Sequence, residues 1–131
     1  MPLLDLRLPP RPRAVPTARH AFDGLSDRIS EASLEDARLL VSELVTNSVR
    51  HAGLAPSQLI TVQAEIIDNR LHVEVRDEGG GFEWPSGPPD PLANEGWGLF
   101  LVARLAERWG LVDDGATKVW FELPLQRDLA R

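Results

Sequence analysis

The stretch Ser33–His51 (SLEDARLLVSELVTNSVRH) most limits what this chain can become. Leu34, Ala37, Val41, Leu44, Ser48 and Ala52 recur at three- and four-residue spacing, the signature of a helix with one buried stripe. Ser33 with Asp36 three residues later reads as a capping-box start, and Gly53 as the stop. A long helix with one apolar stripe has to cover a partner layer. Glu43 and Asn47 stand one turn apart on a flank of this helix, roughly 100° from the stripe. A carboxylate stacked beside an amide can serve a bound ligand, or it can be plain solvated surface.

The partner layer is legible on either side. Leu3–Leu8 alternates apolar and polar residues and reads as a short strand. The prolines at 9, 10, 12 and 16 then break the chain, which suits an edge strand. Val15–Leu25 reads as a first helix with Val15, Ala18, Ala21 or Phe22, and Leu25 on one face. Leu59–Ile67 and Arg70–Asp77 form a hairpin across Asp68-Asn69, with Ile60, Val62, Ala64 and Ile66 facing Leu71, Val73 and Val75. Leu99–Trp109 reads as a further helix, with a face of Leu99, Val102, Ala103 and Ala106 and a stop at Gly110. Leu111–Asp113 and Thr117–Leu123 make a second hairpin across Asp114-Gly115. The 131 residues, 43% of them hydrophobic, suffice for one domain with one core, residues 1–131. The fold class is α+β: a two-layer sandwich with a mixed, mostly antiparallel sheet and helices on one face.

Strand parity makes two polar residues conspicuous. Asp77 shares the parity of Leu71, Val73 and Val75, so its carboxylate should point inward, which is costly unless something bonds it. Thr117 shares the parity of Val119, Phe121 and Leu123, so its hydroxyl should also face the interior. Gly79, Gly80 and Gly81 follow Asp77 and leave room for something flat to approach the backbone. Asp77 can therefore accept from a ligand amino group, or simply cap the amides of a tight turn. The segment Phe82–Glu95 (FEWPSGPPDPLANE) has no period and is long enough to be a lid or a surface excursion. Gly96-Trp97-Gly98-Leu99 then opens a helix. Such a start can cradle phosphate on free amides, or be only a turn.

Composition narrows the partners. A net charge of −6 argues against general nucleic-acid binding. The absence of cysteine excludes a disulfide scaffold and a thiolate metal site. No apolar run is long enough for a membrane span and no signal pattern opens the chain, so a soluble cytoplasmic protein is expected, without a membrane partner.

Together these pieces are E-x-x-x-N on a helix, D-x-G-x-G after a strand, a lid-length loop, G-x-G-L opening a helix, and a threonine on the last strand. The set resembles the Bergerat-fold (GHKL) ATP-binding domain of gyrase, histidine kinases and MutL. LVSELVTNSVRHAG and the first helix are most similar to the stand-alone anti-sigma-factor serine/threonine kinase branch. The resemblance covers nearly the whole chain and implies a role for each matching residue. Asn47 would hold Mg²⁺ through its amide oxygen, and Glu43 would be the general base. Asp77 would accept from the adenine amino group, with room from Gly79 and Gly81 and support from Thr117. Gly96, Gly98 and the Leu99 amide would cradle the ATP phosphates. The implied function is an ATP-binding regulator that phosphorylates a STAS-fold anti-sigma-factor antagonist and sequesters a sigma factor. A homodimer across the N-terminal strand and first helix is compatible with the sequence. One departure favours an alternative, a non-catalytic ATP-dependent protein-binding module: Phe82–Glu95 contains no Lys or Arg to meet the γ-phosphate.

Overall fold

The structure is a computed structural model that describes residues 2–51, 53–79 and 97–126. Strand β1 (Leu4–Leu8) leads into helix α1 (Ala14–Ala21), which tightens into a 3₁₀ turn over Phe22–Leu25. Helix α2 (Glu31–His51) is the longest element. The hairpin β2 (Ile60–Ile67) and β3 (Arg70–Asp77) follows, then α3 (Trp97–Leu105), β4 (Arg108–Asp113) and β5 (Thr117–Pro124). The sheet runs β1-β2-β3-β5-β4, and every pairing among the described strands is antiparallel, so the parallel component expected in a mixed sheet is not found there. Asp68 and Asn69 both take positive φ, 50° and 64°, which matches the right-handed twist of a two-residue hairpin.

All three helices lie on one face of the sheet. The inward side chains of β2, β3 and β5 meet Leu34, Ala37, Leu40, Val41, Leu44 and Val45 of α2, with Ala18 and Phe22 closing one side. Phe22 rather than Ala21 is the buried member of the first helical segment, because the 3₁₀ turn rotates it inward. Pro16 sits in the first turn of α1, where a missing N–H breaks no helical bond. On the open face the polar side chains brace one another. His72 Nδ1 and Glu122 Oε2 are 2.7 Å apart, Lys118 reaches Glu74 at 3.0 Å, and the His72 ring stacks on Trp120.

Two sequence expectations give way. The capping box is not at Ser33. Ser30 accepts from the Ser33 N–H through its hydroxyl at 3.3 Å, so the helix starts at Glu31. The Ser33 hydroxyl, wholly buried, instead donates to the Pro124 carbonyl at 2.7 Å, while the Ser30 N–H bonds the Leu125 carbonyl. These bonds fasten the head of α2 to the end of β5. The second correction concerns the last helix. It ends at Leu105, Ala103 is exposed, and Trp109 and Gly110 belong to β4, opposite Phe121 and Trp120. Gly110 is therefore no helix stop. A Cβ there would lie 2.5 Å from the Trp120 indole nitrogen, so the glycine leaves room for that ring.

Candidate nucleotide-binding site

The site forms where the C-terminal half of α2 passes over the ends of β3 and β5. Strand alternation carries Asp77 to the buried side as its parity requires, and it is 6% exposed. Its partner across the ladder is Thr117, equally buried. Both carboxylate oxygens are engaged. Oδ2 accepts from the Ser48 hydroxyl at 2.6 Å, and Oδ1 accepts from the Gly79 N–H at 3.0 Å. Thr117 donates its hydroxyl to the Gly79 carbonyl at 3.1 Å, which ties Gly79 to β5. Burial pushes the Asp77 carboxyl above the usual carboxylate range, and the bonds from Ser48 and Gly79 counter only part of that rise.

Asn47, Ser48, Asp77 and Thr117 line one small pocket whose apolar wall is Leu44, Val75 and Val119. A pocket with an apolar flank and a few converging polar groups suits a flat heterocycle with a polar edge. Each carboxylate oxygen of Asp77 has a lone pair beyond those already used.

Glu43 and Asn47, both half-buried, point away from the core stripe toward the start of α3. The contact there is close. A Cβ on Gly98 would fall 2.7 Å from Asn47 Nδ2 and 3.5 Å from Glu43 Cβ, so only glycine lets the first turn of α3 come this near. The first N–H groups of a helix have no partner within it, and the helix dipole is positive at that end. The structure thus sets the Asn47 amide and the base of the Glu43 side chain beside a helix N-terminus, with Leu99 buried just behind. Among the described residues no group of three or more His, Cys, Asp or Glu side chains could hold a metal, so a cation here would depend on the Asn47 amide and on ligand oxygens.

Of the residues the sequence singled out, Glu43, Asn47, Asp77, Gly79, Gly98, Leu99 and Thr117 all fall in this one region. Gly81, Gly96 and the Phe82–Glu95 segment lie outside the described residues, as do residues 127–131 of the C-terminal tail. Ser48 is the residue the sequence reading passed over. In the sequence it reads as part of the buried stripe, yet it carries the shorter of the two bonds to Asp77. A lone hydroxyl in an otherwise apolar stripe was the available signal. No described helix is long and apolar enough to cross a membrane.

Comparison with known proteins places the fold in a family. Residues 8–123 match the family model described as "Histidine kinase-like ATPase domain". The serine-protein kinase RsbW of Listeria innocua is 32% identical, over 88% of this chain and 83% of its own. The serine-protein kinase RsbW of Staphylococcus epidermidis is 31% identical, over 79% of this chain and 75% of its own. Among solved structures, the Acinetobacter baumannii histidine kinase AdeS superposes with a TM-score of 0.53 at 13% identity, covering 97% of this chain and 70% of that one, a likeness of fold. With the family model matched over most of its length, this chain belongs to the histidine kinase-like ATPase domain family.

Proposed function

We propose that the chain is an ATP-dependent serine/threonine protein kinase of the anti-sigma type, acting in the cytoplasm on a STAS-fold antagonist and holding a sigma factor. The observation that carries this reading is the three-way approach of Glu43, Asn47 and the first turn of α3, with Asn47 also lining the pocket that Asp77 and Thr117 share. Its similarity to serine-protein kinases over most of both chains supports the same reading.

In this proposal the adenine edge enters the pocket and its amino group donates to Asp77, whose anionic oxygens favour a donor and disfavour a carbonyl. Gly79 leaves room for the ring, a role the resemblance also gives to Gly81, and Thr117 steadies the Gly79 carbonyl. The phosphates lie on the free amides at Gly98 and Leu99, and the resemblance assigns Gly96 to the same cradle. The Asn47 amide oxygen, together with phosphate oxygens, would hold Mg²⁺, which when bound would supply positive charge against the phosphates. Glu43 takes the proton from the attacking serine or threonine hydroxyl. The new O–P bond forms as the bond to ADP breaks, and ADP leaves with the electron pair.

Calorimetric titration with ATP and ADP, each with and without Mg²⁺, tests binding. Micromolar affinity, with the ATP value dependent on magnesium, is the expected result, and absence of binding to either nucleotide would remove the reading. Transfer of γ-labelled phosphate to a purified STAS-domain antagonist tests the kinase step. Tight binding without any transfer would leave a nucleotide-gated binding protein instead.

A further inference from the structure

We infer that Ser48 is a positioning residue for base recognition. It locks the Asp77 carboxylate to α2, so that the group reading the base and the groups meeting the phosphates are held by one rigid helix. The inference rests on the proposed adenine contact of Asp77 and goes beyond it by naming what sets that contact.

Ser48 is the one hydroxyl on the inward side of α2 that meets Asp77, in a stripe otherwise made of Leu34, Ala37, Val41 and Leu44. Its hydroxyl reaches across 29 residues of sequence to Oδ2 at 2.6 Å, the length of a charge-assisted bond to a carboxylate. Both partners are buried, so losing the bond costs more than it would at an exposed site. The opposite oxygen is held by the Gly79 N–H, and these two bonds from opposite sides leave the carboxylate a single orientation. Asn47 precedes Ser48 on the same helix, and Glu43 lies one turn and a residue earlier. Any shift of α2 that moves the phosphate-side groups therefore moves the base acceptor with them. A serine kept only for packing would not need to aim its hydroxyl at the least welcome charge in the pocket.

The test compares wild type, Ser48→Ala and Ser48→Thr for binding of ATP and of purine riboside 5′-triphosphate, which lacks the exocyclic amino group. Ser48→Ala should weaken ATP by about tenfold, the typical worth of a bond to a charged group, and leave the amino-free analogue within about twofold. Ser48→Thr, which keeps the donor, should bind ATP within about threefold of wild type. An equal loss for both nucleotides means Ser48 only supports the packing and overturns the inference, as does unchanged ATP affinity in Ser48→Ala. Amide hydrogen exchange in the nucleotide-free protein supplies an independent arm. If Ser48 holds Asp77, the Gly79 N–H exchanges faster in Ser48→Ala and recovers in Ser48→Thr, while amides in the middle of β5, such as that of Phe121, are unaffected. An unmoved Gly79 amide overturns the inference even if nucleotide binds. Failure of the wild type to bind ATP overturns the adenine reading alone, and the Gly79 exchange then decides the role of Ser48.

Discussion

At the residue scale, Glu43 and Asp77 are both carboxylates, yet their surroundings separate their roles. Asp77 is buried and bonded at both carboxylate oxygens, which suits a fixed acceptor. Glu43 is half-buried beside the start of α3, where a side chain can reach an incoming hydroxyl. Replacing Glu43 with alanine should leave Mg–ATP affinity within about threefold of wild type. Phosphotransfer should fall by about a hundredfold or more, the usual worth of a general base. Single-turnover transfer with saturating labelled ATP checks this, and a variant as fast as wild type would clear Glu43 of the role. Asp77 was legible from parity alone, since alternation is strict and an inward carboxylate stands out among Leu71, Val73 and Val75. Ser48 was not, because serine is small enough to belong in a helix stripe without comment. What distinguishes it is a partner 29 residues away, and no local pattern records that.

At the scale of elements, the site depends on how closely two helices approach. Gly98 lets α3 come within contact of α2, and Asn47 is the side chain that would have to yield. In Gly98→Ala the new methyl meets the end of a short, rotatable amide rather than backbone, so the fold should survive with a stability loss under about 1 kcal/mol. Asn47, however, would be displaced from its position at the helix start. Magnesium-dependent ATP affinity should fall by about tenfold or more, whereas magnesium-free ADP binding should change less. Calorimetry of the two nucleotides with and without Mg²⁺ separates these outcomes, and an equal effect on all four titrations would argue against a metal role for Asn47. Element boundaries show where local reading stops. The hairpin β2–β3 was readable to within a residue because turn chemistry and alternation agree. The head of α2 lies three residues before the Ser33–Asp36 pattern, because the Ser33 hydroxyl is taken by the distant Pro124 carbonyl and Ser30 caps the helix instead. The end of α3 was misread for the same reason. Trp109 continues the helical spacing of Leu99, Val102 and Ala106, but its pairing with Phe121 of β5 places it in a strand.

At the scale of the whole molecule, the binding site is held at some cost to the fold. The folded protein binds a proton at Asp77 more tightly than the unfolded chain does, because burial disfavours the ionised form. Stability contributed at this position is therefore greatest at acid pH and is lost as pH rises from the ordinary carboxylate range through the raised value. Asp23 works in the opposite sense. Desolvation pushes its pKa up, but the bonds from Arg38 and His20 hold it below the usual value, so its contribution is present at neutral pH and lost as pH falls through that lowered value. The two windows lie on either side of the ordinary aspartate pKa, which lets one variant separate them. Asp77→Asn keeps an acceptor for the Gly79 N–H and gives Ser48 a neutral partner, without a charge to bury. The nucleotide-free variant should be more stable than wild type at pH 7 by about 1 kcal/mol, roughly 4 °C in Tm for a domain of this size. That advantage should shrink as pH is lowered and Asp77 of the wild type takes up its proton, while the acid-side loss attached to Asp23 persists in both. The same variant should lose the stabilisation by Mg–ATP, because the amino group of adenine would face an amide that is itself partly a donor. Thermal unfolding from pH 8 down to about pH 2, below the ordinary aspartate range where the Asp23 loss sets in, with and without saturating Mg–ATP, reads these effects in one series. A variant less stable than wild type at pH 7 would show that the charge on Asp77 supports the fold, and an undiminished shift with nucleotide would show that Asp77 does not read the base.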